Sequence, residues 1–334
     1  MHPPVPSSGA DLGVTLGALL GGDITDLRRL TGGASLQTWA FDLRRDDDVA
    51  PLVLRRRPPD QPPLMNSVPL AVEAAAITEA AASGVPVAPV RLVLKPEDGL
   101  GEGFVSDRIA GLTLPSKILR DEGYVAVRER LAFRFGEVLA RIHAIPPTAI
   151  DGLATLTAAE QIESIERSYR ARTLRSPVFE LALRWLRRRQ ADFPAVTPTV
   201  VHGDFRMGNV MVAPHDVAAV LDWELVHLGD PAEDLGWVTV NSWRFGKIDK
   251  VVGGVGSLAA LMEGYRAQGG AAIEAERIAF WRALGSLRWG VACGEMSHEF
   301  EQGRDPNVER GIIGRRVSET ELDLLDILAP GHGR

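Results

Sequence analysis

Apolar positions in the first third of this chain recur with a period of two, and beyond Gly111 the period becomes helical, so two regions of different architecture are expected. Strand character runs through residues 26–30, 38–43, 52–55, 90–94 and 104–109. The Ala-rich stretch 69–83 has no interior Gly or Pro and stops at Gly84, which predicts a helix. Thr31-Gly32-Gly33-Ala34-Ser35 reads as the turn of one hairpin and residues 95–101 as the turn of another. In the second region Leu131, Phe135, Val138, Leu139 and Ile142 form a helical stripe, and Ser176-Pro177 starts a further helix with a capping residue and a first-turn proline. Residues 199–201, 210–212 and 217–221 are short strands, while Ile278, Trp281, Leu284, Gly285 and Arg288 follow a packed amphipathic helix. The expected fold class is α+β and bilobal: a small β-rich N-terminal lobe over residues 1–108 and a larger, mainly helical lobe over 109–334, hinged at 107–111.

Composition narrows the function classes. With 334 residues, 45% hydrophobic and 24% charged, the chain can bury a substantial core. Its net charge of −7, with the basic runs 55–57 and 187–189 offset by acids elsewhere, argues against a nucleic-acid partner. A single cysteine, Cys293, forms no internal disulfide, fits a reducing compartment and reads as core filling. The first residues lack the cationic start of a signal peptide, and the apolar stretch 12–20 is short, Gly-interrupted and preceded by Asp11. No segment reaches the length needed to span a bilayer, so a cytoplasmic enzyme without a membrane partner is expected.

The chemistry concentrates in His202-Gly203-Asp204-Phe205-Arg206-Met207-Gly208-Asn209, followed at a strand end by Asp222-Trp223-Glu224. The spacing His-x-Asp-x-x-x-x-Asn with a later Asp is that of a kinase catalytic loop. Phosphoryl transfer needs a carboxylate beside the attacking hydroxyl and hard oxygen ligands for magnesium; Asp204 can supply the first, Asn209 and Asp222 the second. His202 is expected to hydrogen-bond backbone rather than shuttle protons. Asp230 before Pro231 caps a helix, and Asp234 is either a solvated helix residue or a brace for the loop. A hydrolytic metal centre built on His202, Asp204 and Asp222 lacks the clustered histidines such sites prefer.

The first region offers a nucleotide clamp. The small residues Gly32, Gly33, Ala34 and Ser35 let backbone N–H groups approach a phosphate, although Gly-Gly between two strands also serves as a plain turn. Alternation along residues 52–56 puts Val53 and Arg55 on one face, an apolar wall beside a cation, unless Arg55, Arg56 and Arg57 are simply solvated. Glu73 in the first turn of the predicted helix either complements the helix dipole or pairs with Arg55. Backbone groups around Arg108 and Ile109 would hold adenine. Trp237, Trp243, Trp281 and Trp289 read as core, the alternative being an aromatic box around a cationic substrate.

Together these motifs resemble the aminoglycoside phosphotransferase family, the protein-kinase-like fold that includes choline, homoserine and methylthioribose kinases. Within it the Leu-Arg-Arg-x-Pro-Pro segment at residues 54–59 is similar to the kinase-like domains associated with acyl-CoA dehydrogenases. The resemblance implies ATP (or GTP) and Mg²⁺ as cofactors, Asp204 as catalytic base or hydroxyl positioner, Asn209 and Asp222 as Mg²⁺ ligands, and Arg55 on phosphates, oriented by Glu73. It implies phosphorylation of a small hydroxylated molecule, a hydroxyacyl-CoA or hydroxy acid, and functional association with an acyl-CoA dehydrogenase. The alternatives are an aminoglycoside or amino-alcohol kinase, or a non-catalytic nucleotide-binding module. Arg55 departs from the family pattern, which places Lys there.

Overall fold

The computed structural model describes residues 9–30, 36–58, 61, 67–171 and 175–329. Helix α1 (Gly9–Leu20) leads into strands β1 (Asp23–Leu30), β2 (Gln37–Arg45) and β3 (Asp48–Arg57), then helix α2 (Leu70–Ala82) and strands β4 (Val90–Val93) and β5 (Glu102–Asp107). The strands form one antiparallel sheet in the order β1-β2-β3-β5-β4. The period-two pattern of β3 decides what each face does: Leu52, Leu54 and Arg56 are buried, while Val53 and Arg55 stay half-buried on the opposite side. Helix α1 was not expected. Its Leu12, Leu16 and Leu20, spaced by four, lie against Phe41, Leu43, Leu52 and Leu54 and cover the far face of the sheet.

The second lobe contains α3 (Pro115–Ile118), α4 (Val125–His143), α5 (Ala158–Arg170) and α6 (Pro177–Arg189), followed by the short strands β6 (Thr199–Val201), β7 (Val210–Val212), β8 (Val217–Val220) and β9 (His227–Gly229). Helices α7 (Ala232–Trp237), α8 (Leu258–Ala267), α9 (Ala275–Glu301), α10 (Val308–Gly314) and α11 (Val317–Leu328) complete it. β6 pairs with β9, and β7 with β8, both antiparallel. Strand β9 carries no alternating signature, because its three residues are shaped by pairing with β6 rather than by local pattern.

Two features position the site. All five stripe residues of α4 are fully buried, in one core with Phe205 and Met207 of the 202–209 loop, so the loop sits on a rigid helix. That helix meets α8 at near backbone contact: a Cβ on Gly136 would lie 2.0 Å from the Leu261 carbonyl oxygen, and one on Gly264 would lie 1.9 Å from that of Phe133. Between the lobes, Leu112 pairs with Val212 in an isolated bridge, so the chain leaving β5 is tied directly to the hairpin behind the loop. The loop-ending capping groups match the sequence expectation, with Ser176 Oγ accepting from Phe179 N at 3.2 Å. Cys293 is fully buried, and burial pushes its thiol up to about 12, in keeping with core filling.

The outer helical layer contains a titration. Asp323 on α11 accepts from Asn241 Nδ2 at 2.7 Å, yet burial outweighs that bond and raises its carboxyl from 3.8 to about 6. The folded protein therefore keeps this proton between about pH 4 and 6 while the unfolded chain loses it, and stability falls as pH rises through that window. Asp323→Asn retains an acceptor for Asn241 but cannot ionise. Thermal melts should show the variant gaining on the parent by on the order of 1 kcal/mol between pH 4 and 7; a constant difference across that range would contradict the assignment.

Candidate active site

β6 runs out at Val201 and delivers the polar segment 202–209 to the surface of the α4 core. Its path is set by Asp234 on α7, whose completely buried carboxylate accepts from the backbone N–H of His202 at 2.8 Å and of Gly203 at 3.0 Å. His143, at the end of α4, brings Nε2 to 3.2 Å from the same carboxylate and Nδ1 to 2.8 Å from the Tyr265 hydroxyl. Burial pushes Asp234 up, but the His143 and amide contacts more than reverse it, so it stays below the usual carboxylate range. Gly203 turns with φ +80°, and a Cβ there would lie 2.5 Å from the Leu225 carbonyl oxygen, so the turn admits only glycine. His202 is fully buried, its ring Nδ1 accepting from Asp204 N at 3.2 Å and its Nε2 facing Leu221 O at 3.1 Å. That pattern assigns the proton to Nε2, and burial lowers the basicity of the ring.

Asp204 emerges from this turn with its side chain 15% exposed and both oxygens oriented. Oδ2 accepts from Asn209 Nδ2 at 2.6 Å; Oδ1 accepts from Trp237 Nε1 at 2.7 Å and Arg206 Nε at 3.1 Å. Asn209 also donates to the Asp204 carbonyl at 3.1 Å, and its own carbonyl accepts Leu221 N at 2.8 Å, which links the loop to the segment carrying Asp222. Asp222 adopts the left-handed conformation at φ 66°, an uncommon state for a side chain with a Cβ and one that turns the chain sharply out of β8.

Arg55 reaches across from β3. Its guanidinium lies 2.7 Å from Asp222 Oδ1, 3.2 Å from Glu224 Oε2 and 3.4 Å from Glu73 Oε1. Glu73 is therefore aimed at Arg55, and with 1% of its surface exposed it is more than a dipole complement. Burial raises its carboxyl to about 7 against the pull of Arg55. Arg56 and Arg57 are buried rather than solvated, with Arg57 bonded to Glu102 at 2.6 Å. Three carboxylates around one guanidinium leave an excess of negative charge facing the 202–209 loop, and Glu224 is pushed up by burial and by Asp222.

The residues expected to face a nucleotide lie on β3 and just after β5. Val53 stands on the Arg55 face of β3, between Ala40 and Ser106 of the neighbouring strands. Arg108 sends its guanidinium to Asp42 at 2.6 Å, and its N–H to Pro51 O at 2.9 Å, so neither is free for a base. Ile109 is half-buried beside it. Gly32, Gly33, Ala34 and Ser35 lie outside the described residues.

Four groups at the site carry no strong sequence signal. Arg206, two residues on in the same loop, turns back to Asp204, Trp237 and Arg288 reach the loop only through the fold, and Glu224 joins Arg55. Arg288 donates to Gly203 O at 2.8 Å and lies 3.8 Å above the Trp237 ring, although its spacing in α9 reads simply as a packed helix position. Trp237, Trp243 and Trp289 form one cluster, while Trp281 packs elsewhere and donates to Asp230. Among the described residues no three His, Cys, Asp or Glu side chains group as a metal site. The donor set nonetheless suits a hard cation shared with phosphates: Asn209 Oδ1 and Asp222 Oδ2 have no hydrogen bond among the described residues. No helix among those residues is long and apolar enough to cross a membrane.

Residues 26–277 match the family model of the phosphotransferase enzyme family, three quarters of the chain and every element just described from β2 to the start of α9. The chain belongs to that family. It is an enzyme class that transfers phosphoryl groups to hydroxyls of small molecules. Mouse acyl-CoA dehydrogenase family member 10 is 34% identical over 122 residues, which is 33% of this chain and only 11% of the mouse protein. A putative aminoglycoside phosphotransferase from Ralstonia eutropha superposes with a TM-score of 0.73 at 20% identity, covering 94% of this chain and 97% of its own. A thermostable mutant aminoglycoside phosphotransferase, solved in a ternary complex with AMP-PNP and hygromycin B, gives 0.64 at 16% identity over 97% and 99%. These structural likenesses confirm the bilobal kinase-like fold.

Asp234→Ala should cost about 3 kcal/mol in urea unfolding, because two buried amides and His143 lose their acceptor together. A loss below about 1 kcal/mol would show that the loop holds its path without Asp234.

Proposed function

We propose that this chain transfers the γ-phosphoryl group of ATP, or of GTP, to the hydroxyl of a small molecule with Asp204 as the base, and that a hydroxyacyl thioester or related hydroxy acid is the acceptor. The observation that carries the reading is the fixed carboxylate of Asp204, held through both oxygens on a loop hydrogen-bonded to the Asp222 segment. Proton transfer in this chemistry requires a carboxylate that cannot rotate away from the incoming hydroxyl. Asn209 and Asp222 would hold Mg²⁺, which neutralises charge on the transferring phosphoryl oxygens when bound.

Arg55 takes the place of the Lys on β3. Its fork already spans Glu73, Asp222 and Glu224, so it can offer a donor to an α- or β-phosphate oxygen while remaining anchored by Glu73. Val53 would wall the base, and the Arg108 carbonyl and Ile109 N–H would meet its edge. The glycine-rich turn at Gly32 and Gly33, with Ala34 and Ser35, would cover the phosphates. The ternary complex of the structural neighbour with AMP-PNP supports nucleotide binding in this fold. The names of the sequence relatives support a CoA-linked acyl acceptor and an association with an acyl-CoA dehydrogenase.

ATP turnover against hydroxyacyl-CoAs, free hydroxy acids, choline, homoserine and aminoglycosides tests the reading. Asp204→Ala should lower kcat by about 10²- to 10⁴-fold while leaving ATP affinity near the parent value. Parent-like turnover in that variant would remove Asp204 from the mechanism. Nucleotide binding with no transfer to any acceptor would favour the non-catalytic module. A second variant addresses the cation: Arg55→Lys, which keeps the charge but not the fork, should change KM for ATP more than kcat, and an unchanged KM would detach Arg55 from the phosphates.

A further inference from the structure

Beside Asp204, which accepts from Trp237 Nε1, the indoles of Trp237 and Trp243 stand with ring centroids 5.2 Å apart, and Trp289 adjoins Trp243 at 4.9 Å. In a box for a cationic substrate these faces would be open. Here the chain's own guanidiniums occupy them, Arg288 at 3.8 Å from the Trp237 centroid and Arg206 at 4.7 Å from that of Trp243. Both arginine side chains are 26% exposed, so the stacked cations face the solvent that an acceptor must cross.

Each arginine has one carboxylate neighbour, Asp204 for Arg206 and Glu233 for Arg288, and neither commits all of its N–H groups to it. Asp204 binds Arg206 only through Nε, and Arg206 Nη1 makes a long contact of 3.4 Å to the Met207 carbonyl. Arg206 Nη2 has no acceptor among the described residues. Arg288 Nη2 donates to Gly203 O at 2.8 Å and Nη1 lies 3.7 Å from Glu233 Oε1, beyond hydrogen-bonding distance. Glu233 Oε2 is taken by Gln161 at 2.6 Å and His227 at 3.2 Å, while its buried Oε1, without a hydrogen bond among the described residues, faces Arg288. The buried indole N–H groups of Trp243 and Trp289 also lack acceptors among the described residues. Arg206 Nη2 and Arg288 Nη1 thus remain as guanidinium donors without a hydrogen bond among the described residues, the kind of group an oxyanion accepts from.

We propose that Arg206 and Arg288, laid on Trp243 and Trp237, recognise an anionic group of the acceptor and place its hydroxyl at Asp204. This rests on the phosphotransfer reading above and narrows its substrate class. The shared chemistry is a compact oxyanion, which is either the free carboxylate of a hydroxy acid or a phosphate on the carrier of a thioester. The same two charges disfavour a polycationic acceptor.

The test measures binding and turnover separately. With ADP present, intrinsic fluorescence reports titration with four- and eight-carbon 3-hydroxy acids, their CoA thioesters, their uncharged N-acetylcysteamine thioesters and 4-amino-2-butanol. At least one anionic series should bind about tenfold or more tighter than the neutral thioester and the amine. Preference for the free acid identifies the carboxylate, and preference for the CoA form identifies the carrier phosphates. Arg206→Gln and Arg288→Gln should each reduce that discrimination to about threefold or less and raise KM for the acceptor, and Arg288→Lys should restore part of it. Equal binding of anion, neutral and amine overturns the inference, as does discrimination that survives both glutamine variants or absence of anion binding while ADP still binds. Failure of the unsubstituted protein to bind ADP overturns the phosphotransfer reading itself, and this inference with it.

Discussion

The buried carboxylate of Asp234 receives two consecutive amides, those of His202 and Gly203, and the ring of His143, so three separate elements meet at one charge. A charge with no water around it is tolerable only when every neighbour donates to it. With both amides held there, the chain turns at Gly203 in the left-handed conformation, where the Leu225 carbonyl leaves no room for a Cβ, and the turn leads out to Asp204. His202, locked as the Nε2 tautomer, ties the same turn to Leu221 and so to Asp222. The geometry between Asp204 and Asp222 is thus a consequence of how one inert acid is satisfied.

Across the cleft a second charge problem has a different solution. Glu73, Asp222 and Glu224 would repel one another without Arg55, and the guanidinium fork can face all three at once where an ammonium group is a single point charge. The Arg at this position is therefore suited to a site holding an extra acid, Glu224, within reach. It also couples the lobes, since β3 and α2 lie on one side of the contact and the segment after β8 on the other. Nucleotide phosphates and a divalent cation would enter a place where one guanidinium already serves three acids, and its contacts must be redistributed.

Two charge arrangements neighbour the 202–209 loop and differ in character. One gathers carboxylates around a single arginine; the other stacks arginines on indoles. The first would suit metal and phosphate and the second an anionic acceptor, with Asp204 in contact with the second and its loop tied to the first.

Much of this was legible in the chain itself. The alternation of residues 52–56 located the cation on the open face of β3, the stripe of α4 located the core, and the spacing between His202 and Asn209 marked the polar loop, because period and spacing are local properties. The cap at Ser176 and the reading of Cys293 as core filling follow from the same kind of local rule. Helix α1 and strand β9 were not legible: α1 is held by the sheet it covers, and β9 is three residues shaped by β6. Nor could spacing reveal that Arg288, 84 positions after Asp204, would reach Gly203, or choose between dipole and ion pair for Glu73 and between helix surface and brace for Asp234. By itself the sequence determined the elements with a strong local period or cap and which residue types could carry phosphoryl transfer. Only the tertiary structure decided which charges share a cleft, since the Coulomb energy of a pair depends on its distance and burial after folding, and neither is encoded in separation along the chain.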